Sequence, residues 1–263
     1  MKYKRFCLIL IFFLAFVFRS NIYAFSFTNW LWHWNISFLY PVLGSPYVQN
    51  ESLSTYFTVY DAYGDDYTFY VNQNSTNGSL KQIPINIRIP LLYSDDFSIG
   101  FGNIQRYFES NIFGETGFPS ENIFIGNGGG IYLTVGENPF WLTGVLGIIY
   151  YEINSKVDEI RPSFYGDPGL YWNGNFYSPG TPLIVTGRTG PRFCAGLGCK
   201  YYLFNGLFLE ANCYYFPGGV IEDMKYILQG PQDLEIVVDP SQKPKPITIK
   251  ESFSLNFGVG IGL

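Results

Sequence analysis

Residues 252–263 read Ser-Phe-Ser-Leu-Asn-Phe-Gly-Val-Gly-Ile-Gly-Leu. Phe253, Leu255, Phe257, Val259, Ile261 and Leu263 share one face of an extended chain, and small or polar residues fill the other. Successive side chains of a strand point to opposite faces, so this alternation predicts a β-strand with one wholly apolar side. The apolar side runs to the final residue, as it does in the closing strand of a membrane barrel. An earlier segment mirrors it: Trp30, Trp32, Trp34, Ile36, Phe38 and Tyr40 alternate with Leu31, His33, Asn35, Ser37 and Leu39.

Between these strands lie three hairpins. Ile83 to Tyr93 runs into Ser94-Asp95-Asp96, and Phe97, Ile99 and Phe101 lead out on the same face. Leu197, Cys199, Tyr201 and Leu203 enter Phe204-Asn205-Gly206, and Leu207, Leu209, Ala211 and Cys213 leave it. A three-residue loop with Gly last suits a type I turn plus bulge, which keeps the parity of both strands. The third hairpin is 126–136, the turn Glu137-Asn138-Pro139, and 140–154. There Leu142, Leu146 and Ile148 oppose Val145 and Ile149, so the facing of that hairpin is not fixed by its pattern. One strand, three hairpins and a closing strand make eight. The connections 41–82, 109–125, 155–190 and 218–249 are long. The expected fold is therefore an all-β, eight-stranded, antiparallel, up-and-down transmembrane barrel, with short periplasmic turns and long extracellular loops.

Composition agrees. Charged residues make up 14% and aromatics 20%, a balance that suits a wall facing lipid better than a soluble enzyme surface. No stretch after Ala24 has 18 consecutive apolar residues, which excludes a helical span. Residues 1–24 read as a cleaved signal peptide, with Lys2, Lys4 and Arg5 before the 13-residue apolar run Phe6–Phe18 and a small residue, Ala24, at the cut. The barrel domain is then 25–263. Removing four of the 16 basic residues and none of the 21 acidic ones leaves a formal charge of −9, which argues against nucleic acid. The three remaining cysteines, Cys194, Cys199 and Cys213, suggest neither a paired disulfide framework nor a metal site.

Aromatic side chains fall where two membrane interfaces should be. Trp30, Trp32, Tyr93, Phe97, Phe140 and Trp141 lie near the short turns, and Tyr40, Tyr107, Tyr151, Tyr215 and Phe253 near the long connections. Pro84 and Pro90 each remove a ladder donor and mark expected bulges. On this architecture most of residues 25–263 resembles the small eight-stranded outer-membrane barrels: outer membrane proteins X and W, and the transmembrane domain of outer membrane protein A. The resemblance implies a bacterial outer-membrane location, loops facing outside the cell, lipid as a partner, and insertion by the barrel-assembly machinery through the C-terminal strand. The strand departs from the family in ending at Leu263 rather than an aromatic residue. Members of these families are anchors, adhesins, narrow channels or conduits for apolar solutes, so the likeness does not choose a function.

Candidate chemistry is sparse. His33 is the only histidine, and its inward parity in the first strand reads as a lining residue more readily than as a general base. Gly128-Gly129-Gly130 lacks the spacing of a phosphate loop. No catalytic, cofactor or metal residues are assigned. By parity Asn86, Arg88, Arg106, Lys200, Glu210 and Asn256 face a lumen that eight strands leave just wide enough for side chains, which predicts a plugged polar interior. The hairpin register sets Lys200 opposite Glu210. Tyr56, Tyr60, Tyr63, Tyr67, Tyr171, Trp172 and Tyr177 form either a recognition surface, for an extracellular ligand or host surface, or an upward extension of the wall. The leading expectation is a non-enzymatic surface barrel for binding or adhesion. A narrow channel or transporter for small or apolar solutes is the alternative, followed by a rim enzyme and a soluble lipocalin-type barrel. Protein from the envelope fraction should begin at Phe25 by mass spectrometry, and an intact Met1 would refute the leader.

Overall fold

The computed structural model describes residues 34–262, apart from 45–46, 62–65, 75, 80, 83–84, 111, 115–121, 162–168 and 205. The leader 1–24, Trp30, Trp32, His33, Tyr63, Pro84 and Leu263 therefore lie outside the described residues.

Eight strands form the barrel: β1 (Asn35–Leu43), β2 (Ile85–Tyr93), β3 (Phe97–Ser110), β4 (Asn122–Glu137), β5 (Phe140–Glu159), β6 (Arg192–Phe204), β7 (Leu207–Phe216) and β8 (Ser252–Gly262). Each pairs antiparallel with its sequence neighbours, and β8 returns to β1 to close the ring. The turns at one end are short. Ser94 N donates to Phe97 O at 2.6 Å, Glu137 pairs directly with Phe140, and Gly206 takes the left-handed φ of 88° that a tight turn needs. A register shift between Pro90 and Leu92 marks the bulge expected at Pro90.

The outer face is apolar. Phe38, Ile131, Leu146, Phe193, Leu197, Phe257 and Val259 are all exposed on it. The facing left open by the third hairpin is resolved: Leu142, Leu146 and Ile148 point outward, while Val145 and Ile149 are buried inside. Large inward side chains lie over glycines of neighbouring strands. A Cβ at Gly196 would collide with the Tyr214 ring, and one at Gly260 with the Phe208 ring. Glycine on the inner wall is thus the space that a narrow lumen needs for its large residues.

One belt assignment is corrected. Tyr151 is fully buried on the inner face, where its hydroxyl donates to Pro217 O at 3.2 Å. Tyr40 and Phe253 are exposed on the outer wall, and the Tyr215 and Phe253 rings pair at 5.2 Å. The Tyr107 side chain lies outside the described ones.

The long connections are not loose. β5 runs 20 residues, beyond the ~9–11 a membrane crossing takes, and its upper half pairs with 182–188, which pairs with 225–228. Residues 53–60 and 66–73 form a hairpin, and 47–50, 76–79, 219–221 and 247–249 form a further small sheet. These pieces make a crown with its own apolar core. Phe57 packs at 5.7 Å from Phe69 and 4.8 Å from Tyr226, whose phenol burial holds well above its ordinary value. Gln73 and the backbone of Lys245 exchange two hydrogen bonds of 2.8 Å, tying the first connection to the last. Trimming 48–78 or 160–186 would therefore remove core residues, contrary to what open loops would tolerate. We predict that Phe57→Ala costs ~3–5 kcal/mol in urea unfolding of the refolded protein. A cost below ~0.5 kcal/mol, typical of surface positions, would show that the crown is not a packed core.

Candidate functional site

Two sets of side chains could carry function: the polar set inside the barrel and the rings on the crown. Inside, β2 supplies Asn86 and Arg88, β6 Lys200, β7 Glu210 and β8 Asn256, and all five are buried. Arg106 sits on β3 opposite Gly126, and its side chain lies outside the described ones.

Lys200 and Glu210 are Cα partners across the β6–β7 hairpin. The ionic contact, however, joins Glu210 to Arg88 across the lumen. A guanidinium matches a carboxylate better than an ammonium does, being planar and less strongly hydrated. Lys200 Nζ instead donates to Asn35 Oδ1 at 3.1 Å and lies 4.9 Å from the Phe208 ring centre. Arg88 also sits over the Tyr132 ring at 4.6 Å, and Asn86 donates to Tyr214 Oη at 3.1 Å. The parity that turns Lys200 and Glu210 inward turns Tyr202 and Tyr214 inward too, whereas Tyr132 belongs to the hairpin whose facing its pattern leaves open. The glycines beside Tyr132 and Tyr214, Gly102 and Gly196, were a further signal, since each leaves room for an inward ring.

Above this layer the lumen is mixed, with Asn212, Ser254 and Asn256 buried on β7 and β8 and apolar side chains on β3 and β5. Ile104, Val145 and Ile149 join the core that continues through Ile153 and Val157 into the crown. The lumen is polar only in part. Its chemistry is that of a brace: Arg88 and Glu210 are in ionic contact, and Lys200 with Asn35 and Asn86 with Tyr214 form bonded pairs around them. Among the described residues no group of His, Cys, Asp and Glu could hold a metal ion.

The crown divides the candidate rings. Tyr56 and Tyr60 are each 64% exposed, and Tyr171 is partly exposed against Phe176. Tyr67 and Trp172 pack against the core. Tyr177 is buried, its hydroxyl donating to Gln232 O at 2.8 Å. Tyr70, 53% exposed, pairs with Tyr56 and belongs with the surface set. Alternation in 67–73 carries that signal, since Phe69 and Val71 face the core on either side of it.

No protein-family model matches this chain, and no curated protein matches it. Among solved structures it is similar to the outer membrane protease OmpT from Escherichia coli, with 11% identity, a TM-score of 0.40, and 88% of this chain and 96% of that one covered. It is similar to Ail, the attachment invasion locus protein of Yersinia pestis, in complex with the heparin analogue sucrose octasulfate (10%, 0.35, 87% and 99%). It is similar too to Neisserial surface protein A (8%, 0.34, 88% and 97%). At such identities and TM-scores these likenesses carry no argument, and the assignment rests on the strand pairing itself. The chain is a closed, eight-stranded antiparallel β-barrel with an apolar outer wall.

The brace has a measurable signature. Removing one member of a buried ion pair leaves the other charged and unpaired, at ~3–5 kcal/mol, whereas replacing both with apolar residues is often near neutral. We predict that Glu210→Ala destabilises the barrel far more than Arg88→Met combined with Glu210→Met, by urea unfolding in micelles. Equal losses would mean the pair is not the lumen's cross-link.

Proposed function

We propose that the chain is a non-enzymatic outer-membrane barrel that holds a folded β-crown outside the cell for binding or adhesion, through a lumen that does not conduct. The observation that carries this reading is the continuous core. Among the described residues one apolar cluster runs from Val145 and Ile149 upward through Ile153 and Val157 to the crown, which supports an end that is packed rather than open. A conduit needs a wet or gated path, and a packed apolar core offers none. Large exposed rings on a rigid scaffold are what a binding surface uses. The non-enzymatic part rests on the chain's single histidine, which the sequence places near the short turns, away from the crown.

One observation favours the alternative of apolar-solute transport. On the lipid-facing wall Gly144, Ala195 and Cys213 stand among the larger Leu146, Leu197 and Phe253, leaving an apolar groove. Solutes moving along the wall would use it without any ionic current. Planar-bilayer recording separates a pore from a plug: the refolded protein should carry no steady current. A large stable conductance in wild-type protein, unchanged by Glu210→Ala, would refute the sealed lumen. Faster entry of a long-chain alkane into vesicles holding the protein would move the assignment to transport.

A further inference from the structure

The crown hairpin 53–73 has two unlike faces. Phe57, Val59, Phe69 and Val71 enter the core, and the opposite face lies in solvent. Three consecutive cross-strand rungs build the solvent face. Ser54 Oγ donates to Asn72 Oδ1 at 2.8 Å, the Tyr56 and Tyr70 rings stand 6.2 Å apart at 41°, and Thr58 Oγ1 lies 3.1 Å from Thr68 Oγ1. Tyr60, opposite Asp66, adds a further exposed ring beyond them.

We propose that this face is a docking site for a neutral oligosaccharide, an inference that rests on the surface-binding reading above and names its ligand class. A pyranose has an apolar C–H face and a rim of hydroxyls. The tilted Tyr56–Tyr70 pair offers ring surface to the first. The hydroxyl and amide rungs on both sides, at steps of about 7 Å for alternate residues of a strand, offer donors and acceptors to the second.

Charge selects the neutral class. Residues 51–80 contain no Lys or Arg, and Glu51, Asp61, Asp65 and Asp66 make the segment negative. Sulfated, phosphorylated or carboxylated chains are recognised through Arg and Lys, and this segment repels them.

The platform is also rigid before anything binds. Tyr70 N donates to Asp158 Oδ2 at 2.8 Å, and Gln242 Nε2 donates to Tyr56 O at 2.8 Å. Asp158 is buried on the upper half of β5, so the hairpin hangs on a strand that continues into the barrel. A face fixed in this way has little conformational entropy left to lose on binding, which favours weak ligands such as sugars.

The test uses the full-length protein in detergent micelles, titrated with hexasaccharides of glucose, galactose and N-acetylglucosamine and with a sulfated heparin hexasaccharide. Saturation-transfer NMR reads contact. At least one neutral hexasaccharide should bind saturably, and the sulfated one should not. Tyr56→Ala with Tyr70→Ala should weaken binding roughly tenfold, equivalent to ~1.4 kcal/mol, with heat-modifiable gel mobility retained. Tyr40→Ala, on the outer barrel wall, should leave binding unchanged and serves as the control. Failure of every neutral sugar, preference for the sulfated one, or wild-type binding by the double variant would overturn the inference. Adhesion of cells with and without the protein separates the two levels. A difference that the double variant preserves overturns the sugar alone, whereas no difference overturns the surface-binding reading itself.

Discussion

A peptide group in hydrocarbon has no water to bond, so each N–H and C=O must find its partner on a neighbouring strand. The rest of the molecule depends on that closure. The β4–β5 seam pairs residue for residue from Glu137–Phe140 up to Ile123–Asn154, and β8 meets β1 from Gly262–Asn35 up to Leu255–Leu43. Once the ring is closed, alternation assigns every wall residue to lipid or lumen. Phe38, Phe257 and Val259 have no choice but the outside, nor Ser254 and Asn256 but the inside.

Eight strands then leave an interior that must be filled. Two solutions share it. Toward the short turns, Arg88, Glu210, Lys200 and Asn35 form a charged layer whose members hold one another. Toward the crown, apolar residues on β3 and β5 merge with the crown's own core, while Asn212, Ser254 and Asn256 line the opposite side. Both solutions need glycine on the facing wall, which is why a barrel of large aromatic residues is also rich in the smallest one. The buried charges cost desolvation energy that apolar replacements would avoid, so the pair adds little net stability while the loss of either member leaves the other unpaired.

The barrel was legible in the sequence because a period of two, sustained along a whole segment, arises from little besides a half-buried strand. Phe253 to Ile261 and Leu197 to Cys213 carried strand number, parity and register together, including the Lys200–Glu210 alignment. What alternation cannot carry is contact across a cavity. Arg88 and Glu210 stand on strands that are not neighbours, and side-chain reach and guanidinium geometry decide their meeting. The crown was illegible for a related reason. Most of its strands run from two to four residues, too short for a period to declare itself, and several pair between connections far apart in the chain, such as 47–50 with 247–249. Counting misplaces Tyr151 because β5 continues past the membrane: a ring at the interface by position is inside by parity.

That continuation has a mechanical consequence. At about 3.3–3.4 Å per residue, β5 is a rod of about 65 Å, rooted in the barrel wall and ending among the crown strands. A pull on the crown along the strand direction is carried by this rod. It loads the hydrogen bonds to β4 and β6 in shear, so that many must fail together, rather than peeling them one by one. The 53–73 hairpin, fastened to Asp158 on the same strand, sits at the outer end of that load path. A rod held on both sides along its lower half yields at its root only when those rungs fail together.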